Sequence, residues 1–340
     1  EGDIQLVRVS AGELGDVSVT SAGAITGDGD AATVVSGGGL SLTSVGGIDV
    51  DTAVGTISAT TTGAGSIVIE ESDGVTLDSV VASDGSISVS AGGEMVATRV
   101  ESTTNSAGND VTLATSEGGV QLVSVSAGEL GDVSVSSAGA ITEDGDAATV
   151  VTGGGLVLAA VGGIDVDTAV GTISATATGA IVIEESDGVE LKSVVAADGP
   201  ISVSAGGAMV ATSVESTTNS ADNDVTLETS EGGVQLVRVS VGELSDVSVT
   251  SAGAITEDGD AATVVTGGGL VLTAVGGIDV DTAVGTISAT TTGAGTIVIE
   301  ESDGVELKSV VASDGSISVS AGGAIEGDGT EAVDITGGVL

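Results

Sequence analysis

The chain has 340 residues, 41% of them hydrophobic, yet it contains no Phe, Tyr, Trp, His or Cys. Fifty acidic side chains against five basic ones give a formal charge of −45, which excludes nucleic acid and anionic membranes as partners and favours cations or basic surfaces. The missing Cys exclude a disulfide framework and thiolate zinc sites, the missing aromatics demand a narrow core of Val, Ile, Leu and Ala, and the irregular Gly spacing excludes collagen.

From the first residues onward the chain is written in short alternating apolar runs. They centre on Ile4 and Leu6, Val17 and Val19, Val34 and Val35, Leu40 and Leu42, Ile48 and Val50, then Ile57 and Ala59. They continue at Ile67 and Ile69, Val75 and Leu77, Ile87 and Val89, Met95 and Val96, and Val111 and Leu113. Strict alternation predicts strands with one buried and one wet face. Nearly every gap holds Gly, Asp, Ser or Asn, the residues that turns require. No segment keeps a helical period, and the regular β-branched alternation argues against disorder.

Residues 45–60 (VGGIDVDTAVGTISAT) are the pivot of the pattern. Ile48 and Val50 alternate with Asp49 and Asp51, Ala53-Val54-Gly55 breaks the phase, and Ile57 and Ala59 alternate with Ser58 and Thr60. This predicts strand, tight corner, strand. The sixteen residues return unchanged at 161–176 and 275–290, inside three long copies spanning 1–116, 117–230 and 231–340. Gly65-Ser66 has no counterpart between Ala180 and Ile181, a length change expected at a surface turn. Residues 324–340 resemble 24–40 rather than the segment from Glu94 onward. A splice of that kind suits interchangeable stacked coils better than independent domains.

These features predict an all-β chain: a right-handed parallel β-helix, or β-solenoid, formed as one continuous body by three tandem repeats of about 115 residues. The alternative is a row of immunoglobulin-like β-sandwiches, which would ask for a large central residue such as Trp and for Pro-rich loops. Residues 31–48 and 147–164 lack charge but are short and broken by Gly, so no membrane span is expected. The start at Glu1, without a signal peptide, suggests a mature or excised piece of a longer protein.

Residues 85–93 (GSISVSAGG), 109–116 (NDVTLATS) and 118–126 (GGVQLVSVS) resemble, in rhythm and composition, the repeats of filamentous-haemagglutinin-type exoproteins. The resemblance covers nearly the whole chain. It implies a right-handed β-helical shaft and a fibrous, surface-exposed role in adhesion or a matrix.

The sharpest candidates for chemistry are the acidic turns. Asp28 and Asp30 flank Gly29, and the pattern returns as Asp144 and Asp146, then Asp258 and Asp260, with a variant at Asp328. Carboxylates spaced around Gly can wrap a hard cation such as calcium, although the distal Glu of an EF-hand is absent. Asn109-Asp110 and Asn223-Asp224 are more simply turn residues. Asp49 and Asp51 could in principle form an acid–base pair, but Arg8 is matched by Ser124 and Arg238, and Asp78 by Lys192 and Lys308, so no base keeps its place between copies. With no His available, catalysis is not expected. The reading is a structural segment of an extracellular or cell-surface fibre or stalk, without a required cofactor, self-assembling end to end into filaments. The alternative is a calcium-dependent adhesin or matrix-binding module.

Overall fold

The computed structural model describes residues 2–29, 35–145, 148, 150–259 and 264–327, with the backbone of Asp334–Thr336. The chain divides into two compact units, Glu1–Gly171 and Thr172–Leu340. Each unit is a parallel β-solenoid, and the described residues form strands and turns without a helix. Every strand pairing described is parallel, whereas sandwiches would be antiparallel.

The alternation read from the sequence sets the inside and outside of each coil. In the first unit one stack of strands aligns Ile4, Ile25, Ile48, Ile67, Ile87 and Val111 in a single column, which continues through Val133 to Leu156. A second stack aligns Val17, Leu40, Ile57, Leu77, Ala97 and Leu122. Ile25, Ile57, Ile67 and Leu77 are wholly buried. Aliphatic side chains thus lie one above another at the ~4.8 Å strand spacing, and each fully buried Val, Leu or Ile contributes about 1.5–3 kcal/mol. Successive coils differ in length, from the step between Leu40 and Ile57 to the longer one between Val9 and Val35. The columns stay in register across these different lengths.

The break at Ala53-Val54-Gly55 is present, but it does not end the strand. Ile48–Ala64 runs through it, with Val54 buried and Gly55 and Thr56 both exposed. The preceding strand Val35–Ser44 has a matching irregularity, so Gly37 pairs with Val54 and Gly39 with Thr56 and the ladder carries on. The expected corner is there, since Ile48 belongs to the first stack and Ile57 to the second, but the ladder to the preceding coil runs through it.

The long repeat is not a whole number of coils. Five steps carry Ile4 to Val111, and Val120, the counterpart of Ile4, follows half a coil later. Val120 sits in the other stack, in a column with Val75, Met95, Ile141 and Ile164. The second unit repeats the displacement: Ile181 shares a column with Ile201, Val225, Val247 and Leu270, whereas its counterpart Ile297 pairs with Ile278 and Ile317. Ladders also run through the joints between copies, as where Met95–Ala97 pairs with Val120–Leu122.

Three local devices keep the coils closed. A bulge follows Ile57, Ile173 and Ile287, and the extra residue opposite is Asp78, Lys192 or Lys308. Because a bulged residue is unpaired and turned outward, either charge is accepted there. Inward Ser residues at strand ends satisfy the turns: Ser137 Oγ donates to the Ala140 carbonyl (3.1 Å) and accepts from the Gly139 N–H (3.1 Å). Ser251 does the same with Ala254 and Gly253. Finally, Gly92 lies so close to the carbonyl of Ser72 in the neighbouring coil that a Cβ would overlap it. Gly92→Ala is therefore expected to destabilise its unit by about 1–3 kcal/mol in chemical denaturation, while Gly108→Ala, whose Cβ would meet nothing within 4 Å, leaves the midpoint unchanged.

Candidate functional site

The acidic turns project from strand ends. Asp28, Asp144 and Asp258 are exposed, and Gly29, Gly145 and Gly259 beside them adopt φ of +77°, +81° and +82°, a left-handed turn that favours Gly. Asp30, Asp146, Asp260 and Asp328 lie outside the described residues. Among the described residues no three carboxylates are gathered so as to hold a metal ion.

The second and third copies place Glu143 and Glu257 where the first has Gly27. Glu257 pairs in register with the buried Leu236, so its side chain starts from an inward position. The Oε2 atoms of Glu143 and Glu257 are shut off from solvent and meet no donor. The nearest charges are like ones: Asp167 and Asp165 lie near Glu143, and Asp281 and Asp279 near Glu257. Burial first, then repulsion from Asp167 and Asp165, pushes the Glu143 carboxyl above its ordinary value; burial with Asp281 and Asp279 does the same at Glu257.

The central strand carries a second acidic feature. Asp49 and Asp51 point outward between the buried Ile48, Val50 and Thr52, and Asp51 lies beside Glu70 of the next coil. A cavity of about 400 Å³ opens across neighbouring coils here, lined by Asp51, Glu70, Ser72, Ser90, Thr115 and Ser116. The third copy repeats the groove, at about 340 Å³, with Asp281, Glu300, Ser302 and Ser320. Outward carboxylates and hydroxyls on parallel strands offer hydrogen-bond acceptors and negative charge to a cation, an ammonium group or a polyol.

The floor of this groove is Glu71, only 4% exposed. Its Oε2 accepts from the Thr52 hydroxyl (2.7 Å) and the Val54 N–H (3.0 Å), and its Oε1 from the Asp73 N–H (3.1 Å). Glu301 repeats the set with Thr282, Val284 and Asp303. The carboxylate thus replaces ladder partners that the phase break at Val54 removes. Glu71 is absent from the sequence-derived candidates, although its signal is legible: counting the alternation Ile67, Ile69, Glu71 places it inside. Other acids also close coils. Asp3 Oδ1 accepts from the Ala24 N–H (2.8 Å), Asp110 Oδ1 from the Asp132 N–H (2.9 Å) and Asp224 Oδ1 from the Asp246 N–H (2.8 Å). Asn109, buried, donates through Nδ2 to Asp84 Oδ1 (3.1 Å) and the Thr104 carbonyl (3.0 Å), the turn role expected of it.

No family model, curated protein or solved structure matches the chain.

Glu71→Ala is expected to cost about 1–3 kcal/mol by stranding the buried Val54 N–H, read by chemical denaturation and by faster amide exchange at Val54. The raised carboxyls set a pH dependence. A Glu whose value is raised in the folded state stabilises the fold below its ordinary value of 4.5, and that contribution is lost as pH climbs through the raised value. Melting temperature should therefore fall from mildly acidic to neutral buffer. Glu143→Gln combined with Glu257→Gln should flatten that slope more than the same change at the exposed Glu94 and Glu117, because Gln removes the carboxyls whose values are raised.

Proposed function

We propose that the chain is a structural, non-catalytic segment of an extracellular or cell-surface fibre or stalk, self-associating end to end, of the filamentous-haemagglutinin type. The observation that carries this reading is the register: like residues stack on like, coil after coil, across the joints between sequence copies. A parallel ladder has no intrinsic stop. The N–H and C=O groups of an outermost coil pair with any further coil offered in the same direction. Such a body supplies length and stiffness from a repetitive sequence. The five bases also change identity between copies, so no acid–base arrangement is preserved with the repeat.

A second reading, a calcium-dependent adhesin or matrix-binding module, draws on the recurrence of the acidic groove at Asp51 and Glu70 and again at Asp281 and Glu300. Capture of a surface partner that is abolished by a chelator would favour it over the first.

Electron microscopy of the purified chain tests the fibre reading. Thin filaments longer than one chain are expected, lengthening with protein concentration. Discrete particles of one size at every concentration would remove end-to-end association.

A further inference from the structure

In a chain of net charge −45, some outward sheet faces carry no charge at all. On the second stack of the first unit, Ser18, Ser41 and Ser58 lie in one outward column and Thr20, Thr43 and Thr60 in the next. Apart from Ser58, which donates to Asp78 at the rim, these hydroxyls make no hydrogen bond among the described residues. On the first stack of the same unit, Ser88, Thr112, Ser134 and Val157 form an outward column beside Ser90, Ala114, Ser136 and Ala159. Carboxylates are confined to the rims, at Asp16 and Asp78 for one face and at Glu70, Asp110 and Asp132 for the other. The half-coil displacement puts the two faces on different stacks. The second unit has a face of the same kind, with Ser248 and Thr250, Val271 and Thr273, Ser288 and Thr290.

We infer that these uncharged hydroxyl faces are lateral docking surfaces for a second copy of this chain, so that coil stacks bundle side by side. Charge selects the occupant. Two copies repel wherever carboxylates meet, and these faces are where they approach with none between them. A cationic partner would be drawn to the acidic groove instead. The chemistry is also self-complementary, since a hydroxyl both donates and accepts and identical faces can bond to each other, whereas facing carboxylates only accept.

Area sets the strength. Three or four coils about 4.8 Å apart, crossed by five-residue strands at about 3.3 Å per residue, offer roughly 240–320 Å² per face. A single pair of faces therefore buries less than the ~1,200 Å² of a stable complex. Bundling then requires several faces engaged at once and strengthens as salt screens the rims. The inference shares the structural reading above but not its end-to-end contact, because one predicts filament width and the other length.

The test compares the full chain with a variant carrying Ser41→Asp, Ser136→Asp and Thr250→Asp, one new carboxylate on each face. Sedimentation and filament width in electron micrographs are followed from low to high salt. The unaltered chain should associate laterally at high salt, with widths rising to two or more coil stacks. The Asp variant should stay one stack wide at unchanged length, and Ser41→Asn, Ser136→Asn and Thr250→Asn should bundle like the original with the same melting temperature. If the Asp variant melts early, the Asn set against the original still decides, because lost bundling there contradicts a neutral hydrogen-bonding face. A chain that remains one stack wide at all salt concentrations overturns the inference. So does an Asp variant that bundles normally, or retention on an insoluble neutral polysaccharide without any bundling.

Discussion

The structure depends on one constraint, the parallel in-register pairing of each coil with the next. In that geometry a residue's nearest neighbour along the stack is the residue at the same position of the adjoining coil. A column is therefore most simply filled by side chains of similar size and polarity. Ile4, Ile25, Ile48 and Ile67 satisfy this directly, and the thin interior explains how a 340-residue chain does without aromatics. The same constraint raises the cost of charge: an outward Asp51 finds Glu70 as its neighbour, whereas the inward Glu71 is supplied with donors on both oxygens. Among the described acids are exposed turn residues such as Asp28, backbone acceptors such as Asp3 and Asp110, and the enclosed Glu71 and Glu301.

Much of this was legible from the residues. Alternation alone placed Ile48 and Val50 inside and Asp49 and Asp51 outside, and Gly, Ser and Asn marked the turns. The repeated sixteen residues and the spliced tail pointed to stacked coils before any pairing was known. What alternation could not supply was the path between stacks. The phase break at Ala53-Val54-Gly55 does mark the corner from Ile48 in one stack to Ile57 in the other, but period-two patterning registers the change of facing and not whether hydrogen bonds continue through it. The half-coil displacement was hidden for a related reason. Coil lengths vary, so a copy of about 115 residues does not announce how many coils it contains.

The candidate site was only partly legible. The acidic turns stand out as sequence because Asp and Gly are conspicuous, and Asp28, Asp144 and Asp258 are exposed. The carboxylates with the most constrained surroundings were less conspicuous: Glu71 inside a strand and Glu143 in place of Gly27. In both, the deciding fact is which backbone or carboxylate of the next coil lies opposite, a relation between residues some twenty positions apart. Composition gives the sign of the surface, but pairing decides where that sign is absent.

The bulges at Lys192 and Lys308 occupy different stacks of the second unit, because the copies are displaced by half a coil. A bulge bends its strand and adds local twist. Had the repeat been a whole number of coils, every such distortion would fall on one flank and the curvature would accumulate with each duplication. With a half-integer repeat, the Lys192 and Lys308 distortions fall on different stacks instead. Duplication in this increment shares such irregularities between stacks, a property of the repeat length that no single residue encodes.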